Sequence, residues 1–104
     1  MIELTVADGV AEVVLNAPEK LNALDPAGLA ELSDAYAEAE RLAESGDVRA
    51  LVLRGEGRAF CAGRDISGVD PREDDVLGYL GGLVQPLLER MASLPVPIFA
   101  VSAT

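Results

Sequence analysis

The feature that most constrains this chain is a long amphipathic helix bracketed by two strand-type runs. Asp25-Pro26 opens the helix. An Asp side chain accepts from the free N–H groups of a first turn, and Pro suits the first helical position. Leu29, Leu32, Tyr36, Ala39, Leu42 and Ala43 then recur at helical spacing, with Glu31, Asp34, Glu38, Glu40 and Glu44 mostly on the other side. Gly46 is a natural stop. The pattern predicts a helix over 26–45 and a buried strand over 48–54. Upstream, Ile2, Leu4 and Val6 alternate with Glu3 and Thr5. Asp8-Gly9 is a two-residue turn signal, and Val10 to Leu15 is again strand-like. Residues 2–15 are expected to form an antiparallel hairpin. A strand, a helix and a second strand imply a parallel crossover, and so an α/β fold.

Composition narrows the function classes. The 104 residues make one domain at most. Half of them are hydrophobic, which argues against disorder. The formal net charge is −10, and Lys20 is the sole lysine. No basic patch exists, so nucleic acid is not an expected partner. The chain has no His, which removes Ser-His-Asp and Cys-His catalysis and the commonest transition-metal ligand. The single cysteine, Cys61, excludes an internal disulfide and a Cys-cluster zinc site. Met1-Ile2-Glu3-Leu4 lacks the basic start of a signal peptide. No run approaches the ~18 apolar residues of a membrane span. A cytoplasmic protein without a metal is expected.

The candidate chemistry lies in residues 55–66, Gly55-Glu56-Gly57-Arg58-Ala59-Phe60-Cys61-Ala62-Gly63-Arg64-Asp65-Ile66. Glycines at 55, 57 and 63 permit sharp turns and close approach to a ligand. The small residues Cys61, Ala62 and Gly63 leave main-chain N–H groups accessible. Rigid N–H groups can stabilise an oxyanion in acyl chemistry. Composition alone reads this stretch equally well as a Gly- and Ala-rich strand exit. Cys61 reads as a small apolar filler. Arg64 is open to a phosphate, to pairing with Asp65 or Asp70, or to solvent.

Residues 16–24, Asn16-Ala17-Pro18-Glu19-Lys20-Leu21-Asn22-Ala23-Leu24, read as a loop punctuated by Pro18 and two Asn residues. On its own Lys20 reads as a solvated loop charge. Acidic residues cluster between Asp65 and Asp75, but without the order of a calcium-binding loop. Asp74 or Asp75 reads instead as the cap of a second helix over 75–94, weakened by Gly78, Gly81, Gly82 and Pro86. Pro95-Val96-Pro97 ends it, and a strand over 98–101 follows. That strand has no successor to cover it, and an open apolar edge is an aggregation hazard or a pairing site.

The order of hairpin, Asn-Ala-Pro-Glu-Lys-Leu-Asn-Ala-Leu loop, helix, strand and Gly-Arg-Ala-Phe-Cys-Ala-Gly-Arg-Asp turn resembles the N-terminal part of the crotonase superfamily, the enoyl-CoA hydratases and isomerases. The resemblance runs through all 104 residues. It implies the N-terminal portion of a ββα spiral and a coenzyme A thioester substrate, with no covalently bound cofactor. It assigns the first oxyanion donor, a backbone N–H, to Ala62. The backbone of Ala62, Gly63, Arg64, Asp65 and Ile66 would line the acyl and pantetheine path. Lys20 and Ala23 would lie at the CoA entry, with Lys20 meeting a phosphate. A trimer or hexamer is implied for the complete protein. The second oxyanion donor and the acid–base carboxylates of the family find no match here. The 104 residues are therefore expected to be a truncated portion, inactive alone. A non-catalytic fragment that binds CoA or a partner chain is the alternative.

Overall fold

The computed structural model describes residues 1–57, Asp75, Gly78 and 80–101. Strands β1 (Ile2–Ala7) and β2 (Val10–Leu15) pair antiparallel, with Ile2 opposite Leu15 and Ala7 opposite Val10. Asp8 and Gly9 both take positive φ, 53° and 80°. That geometry follows the natural twist of two paired strands, which is why a two-residue turn suffices.

Helix α1 (Pro26–Glu44) follows. The Asp25 carboxylate accepts from the Gly28 N–H at 2.7 Å, and Pro26 begins the first turn. Ser45 caps the other end, and Gly46 turns the chain at φ 88°. Strand β3 (Ala50–Gly55) then pairs parallel to β2, and the connection through α1 is the crossover. The strand expected over 48–54 thus begins two residues later. The Arg49 N–H, bonded to the Gly9 carbonyl at 2.7 Å, leads into it.

Within the helix expected over 75–94, the described residues are wound in two ways. Asp75 accepts from the Gly78 N–H at 2.9 Å, in the manner of a helix cap, and Gly78 is helical. Leu80–Val84 is wound as a π-helix, and only α2 (Gln85–Ala92) is regular α-helix thereafter. Pro86 has no N–H to return to the preceding turn, and Gly81 and Gly82 resist tight winding weakly. Ser93 caps the end two residues before Pro95. Strand β4 (Ile98–Val101) joins β3 in parallel, completing the sheet order β1-β2-β3-β4.

Period-2 alternation splits the sheet into two faces. Ala11, Val13 and Leu15 of β2 and Leu51 and Leu53 of β3 face the helices. They meet Leu29, Leu32, Tyr36 and Ala39 of α1, and Leu87 of α2. The opposite face carries Arg54, which reaches Glu12 at 2.9 Å and Glu56 at 2.7 Å. It also carries Phe99, 56% exposed.

Tyr36 is the largest fully buried side chain, yet its hydroxyl has no hydrogen-bond partner among the described residues. Burial pushes its pKa up from 10.0 to about 12. The folded state therefore holds this proton more tightly than the unfolded state does. The sign follows from linkage: the contribution is complete below about pH 10 and is lost as pH rises toward 12. Tyr36→Phe is expected to leave neutral-pH stability unchanged or raised by up to about 1 kcal/mol, because an unpaired buried hydroxyl is removed. It should also abolish the Tyr36-linked loss of stability between those two pH values, so that the variant gains on the native protein as pH rises, as read by urea denaturation across the alkaline range.

Candidate functional site

Adjacent parallel strands deliver the two motif loops to one place. Leu15 and Gly55 are register partners at the C-terminal ends of β2 and β3. Residues 16–24 leave from the first end, and Glu56-Gly57 leaves from the second. Crevices outside the carboxyl ends of parallel strands are the usual ligand sites of such sheets. The Glu56 N–H still donates to the Leu15 carbonyl at 2.8 Å, so the pairing persists one residue past β3.

The first loop is a compact turn and not an open strap. Its start is tied to β1: the Asn16 N–H donates to the Met1 carbonyl at 2.6 Å, and the Asn16 amide donates to the Glu3 carboxylate. Pro18–Lys20 forms one turn of 3₁₀ helix. The Lys20 and Asn22 N–H groups both donate to the Ala17 carbonyl at 3.0 Å, and Leu21 N–H donates to the Pro18 carbonyl at 3.0 Å. Leu21 and Asn22 both adopt positive φ, 52° and 59°. Asn tolerates this region, whereas Leu21 occupies it at a cost of roughly 1–2 kcal/mol.

Asn22 holds that conformation in place. It is completely buried, and it is the one polar residue in the buried class among those described. Its Oδ1 accepts from the Ala17 N–H at 2.8 Å. Its Nδ2 donates to the Glu56 carbonyl at 2.9 Å. One amide thus bridges the first loop to the exit of β3. Gly57 adds a steric contact at φ 84°: a Cβ there would stand 2.8 Å from the Pro18 Cβ. The two loops pack so closely that only a glycine fits.

Of the residues singled out from sequence, Lys20 is exposed and Ala23 is half-buried, both in the first loop. Ala62, Gly63, Arg64, Asp65 and Ile66 lie outside the described residues, as does Cys61. The described part of the 55–66 stretch, Gly55 to Gly57, abuts the loop that carries Lys20 and Ala23. Sequence reasoning treated Asn22 only as punctuation. The available signal was an Asn set between Leu21 and Ala23, a polar residue with apolar neighbours on both sides.

Two clefts elsewhere do not touch this junction. One lies along α1 and α2 beside Glu40, Glu89, Arg90 and Ser93. The other, of about 180 Å³, runs between Leu29, Ser33, Leu83 and Leu87. Among the described residues no three Cys, Asp or Glu side chains gather as a metal site. No helix among them is long and apolar enough to cross a membrane.

The family model for enoyl-CoA hydratase/isomerase matches residues 5–103. The chain belongs to the enoyl-CoA hydratase/isomerase family. Among its relatives, the 1,2-epoxyphenylacetyl-CoA isomerase of Escherichia coli is 36% identical over 97 residues. That match covers 89% of this chain and 36% of the isomerase. The (E)-benzylidenesuccinyl-CoA hydratase of Thauera aromatica is 35% identical, over 86% of this chain and 34% of the hydratase. The crystal structure of an enoyl-CoA hydratase from Mycobacterium avium subsp. paratuberculosis superposes with a TM-score of 0.77 at 29% identity. It covers 96% of this chain and 37% of that one. The chain therefore spans just over a third of the length of these relatives. Its sheet and helices are those of the crotonase-like α/β fold. The enoyl-CoA hydratase/isomerase family fold brings the 16–24 loop and the β3 exit together here through Asn22 and Gly57.

The contact at Gly57 can be separated from its backbone demand. Gly46 also has positive φ, but a Cβ there meets nothing within 4 Å. Gly57→Ala and Gly46→Ala therefore share the φ penalty, roughly 1 kcal/mol, and only the first adds a clash with Pro18. Chemical denaturation should show Gly57→Ala to be the more destabilising by at least about 1 kcal/mol. Equal effects would mean that the loops are not in contact there.

Proposed function

We propose that this chain forms part of an enzyme of the enoyl-CoA hydratase/isomerase family that acts on an acyl-CoA thioester. In this reading the Ala62 N–H donates to the thioester oxygen as negative charge builds on it in an enolate. A fixed N–H dipole stabilises that charge without having to reorient during the reaction. The main chain of Gly63, Arg64, Asp65 and Ile66 lines the thioester path. Lys20 and Ala23 contact the CoA portion at the mouth, with the Lys20 ammonium against a phosphate.

The observation that carries the reading is the junction described above, within a family match over residues 5–103. Residues 16–24 and the segment beginning at Glu56 are distant in sequence, yet one buried amide joins them. A loop bearing a cation and the start of the 55–66 stretch thereby meet at one end of the sheet. Two relatives of different activity, an isomerase and a hydratase, both carry a CoA thioester in their names. That agreement supports the thioester as the common substrate class. The share of the chemistry proposed for these residues is one oxyanion donor and the CoA-side contacts. A homo-oligomer, trimeric or hexameric, is part of the same proposal, as is a cytoplasmic location.

The test is turnover of an enoyl-CoA by the protein containing this chain, followed by loss of the conjugated thioester absorbance. Ala62→Pro deletes the donating N–H and is expected to lower kcat on the order of 100- to 1000-fold. Native turnover by that variant would overturn the oxyanion assignment. Lys20→Ala is expected to raise KM for the CoA ester about threefold with kcat unchanged, as for one exposed charge pair. An unaltered KM would remove Lys20 from the site.

A further inference from the structure

We propose that Asn22 is a positioning residue that sets the first loop and the exit of β3 as one rigid unit. The inference rests on the thioester reading above and adds to it a residue that touches no substrate. Its basis is geometric. The Asn22 side chain is fully buried and uses its two ends differently. Oδ1 accepts from Ala17 N–H at 2.8 Å and so closes its own loop. Nδ2 donates to the Glu56 carbonyl at 2.9 Å, across to the other strand exit. A buried amide with both ends bonded is rigid, and its loss leaves a buried backbone N–H at Ala17 and a half-buried carbonyl at Glu56 without their partner. The Glu56 peptide is the last one before Gly57, where the chain turns at φ 84°. Its orientation therefore sets the direction in which the chain leaves β3 at Gly57. Misplacement of a stabilising donor by about 1 Å lowers turnover on the order of 100-fold, while ground-state binding of the remote CoA portion is spared.

The two ends of the amide can be tested separately. Asn22→Gly keeps the positive φ without strain and removes both bonds. Asn22→Asp keeps the acceptor for Ala17 N–H and, when ionised, sets an oxygen against the Glu56 carbonyl. Both variants are expected to lower kcat for enoyl-CoA by 10- to 100-fold, with KM changed less than about threefold. For Asn22→Asp the deficit relative to native should shrink as pH falls, because a protonated carboxyl can donate to Glu56. Amide hydrogen exchange gives a readout independent of activity. Asn22→Gly should expose the Ala17 amide and shift the carbonyl ¹³C resonance of Glu56, whose own N–H stays protected by the Leu15 carbonyl. Asn22→Asp should shift the same Glu56 carbonyl resonance and leave the Ala17 amide protected. In both, Val13 and Leu51 in the core should remain protected.

A kcat within twofold of native in both variants overturns the positioning role. So does a loss of protection that extends to Val13 and Leu51, which would make Asn22 a general stability residue. If the native protein turns over no enoyl-CoA, the thioester reading fails on its own. Ala17 exchange and the Glu56 carbonyl shift then still decide whether Asn22 couples the two segments.

Discussion

A buried primary amide joins two segments that the sequence keeps 34 positions apart. Asn22 satisfies a backbone donor of its own loop with one end and a backbone acceptor at a strand exit with the other. Burying an amide is unfavourable unless its groups are bonded, so the arrangement is stable only when both segments are in place. The same constraint explains the strained neighbour. Leu21 occupies a left-handed conformation that an aliphatic side chain avoids, and the turn around Asn22 imposes it. Strain of this kind persists where the surroundings over-determine it.

The sheet makes the junction available. A parallel crossover through α1 sets β3 beside β2 with Leu15 level with Gly55. Both chains must then leave the sheet at the same end. Had the strands paired antiparallel, the two exits would lie at opposite ends, and no side chain as short as Asn could span them. The helix layer secures that register. Val13, Leu15, Leu51 and Leu53 pack under α1, and a slip of one residue would turn Glu12 and Arg54 into the core. Packing of ordinary aliphatic residues thus fixes the geometry of a site that contains none of them.

Much of the fold was legible because its punctuation is local. Asp8-Gly9, Asp25-Pro26 and Gly46 act through their own backbone preferences, and those hold whatever the rest of the chain does. The α/β class and the family likewise followed from motif order. The winding of the second helix was not legible in detail: Pro86 and its glycines signal weakness, but no local preference among them selects π geometry at Leu80–Val84. The role of Asn22 was hidden for a related reason. An Asn in a loop usually serves its own turn, and nothing local announces a partner as distant as Glu56. The oxyanion assignment to Ala62 came from motif resemblance, and no local physical rule would have singled out that N–H among its neighbours.

The central claim is the bond from Asn22 to Glu56, and it can be observed directly. Nuclear magnetic resonance of the labelled protein can detect scalar coupling through a hydrogen bond, from the Asn22 side-chain nitrogen to the Glu56 carbonyl carbon. A resolved coupling, with side-chain amide protons that exchange slowly with water, is the predicted result. Absence of the coupling together with rapid exchange of those protons would contradict the account, because the two segments would then have no common anchor.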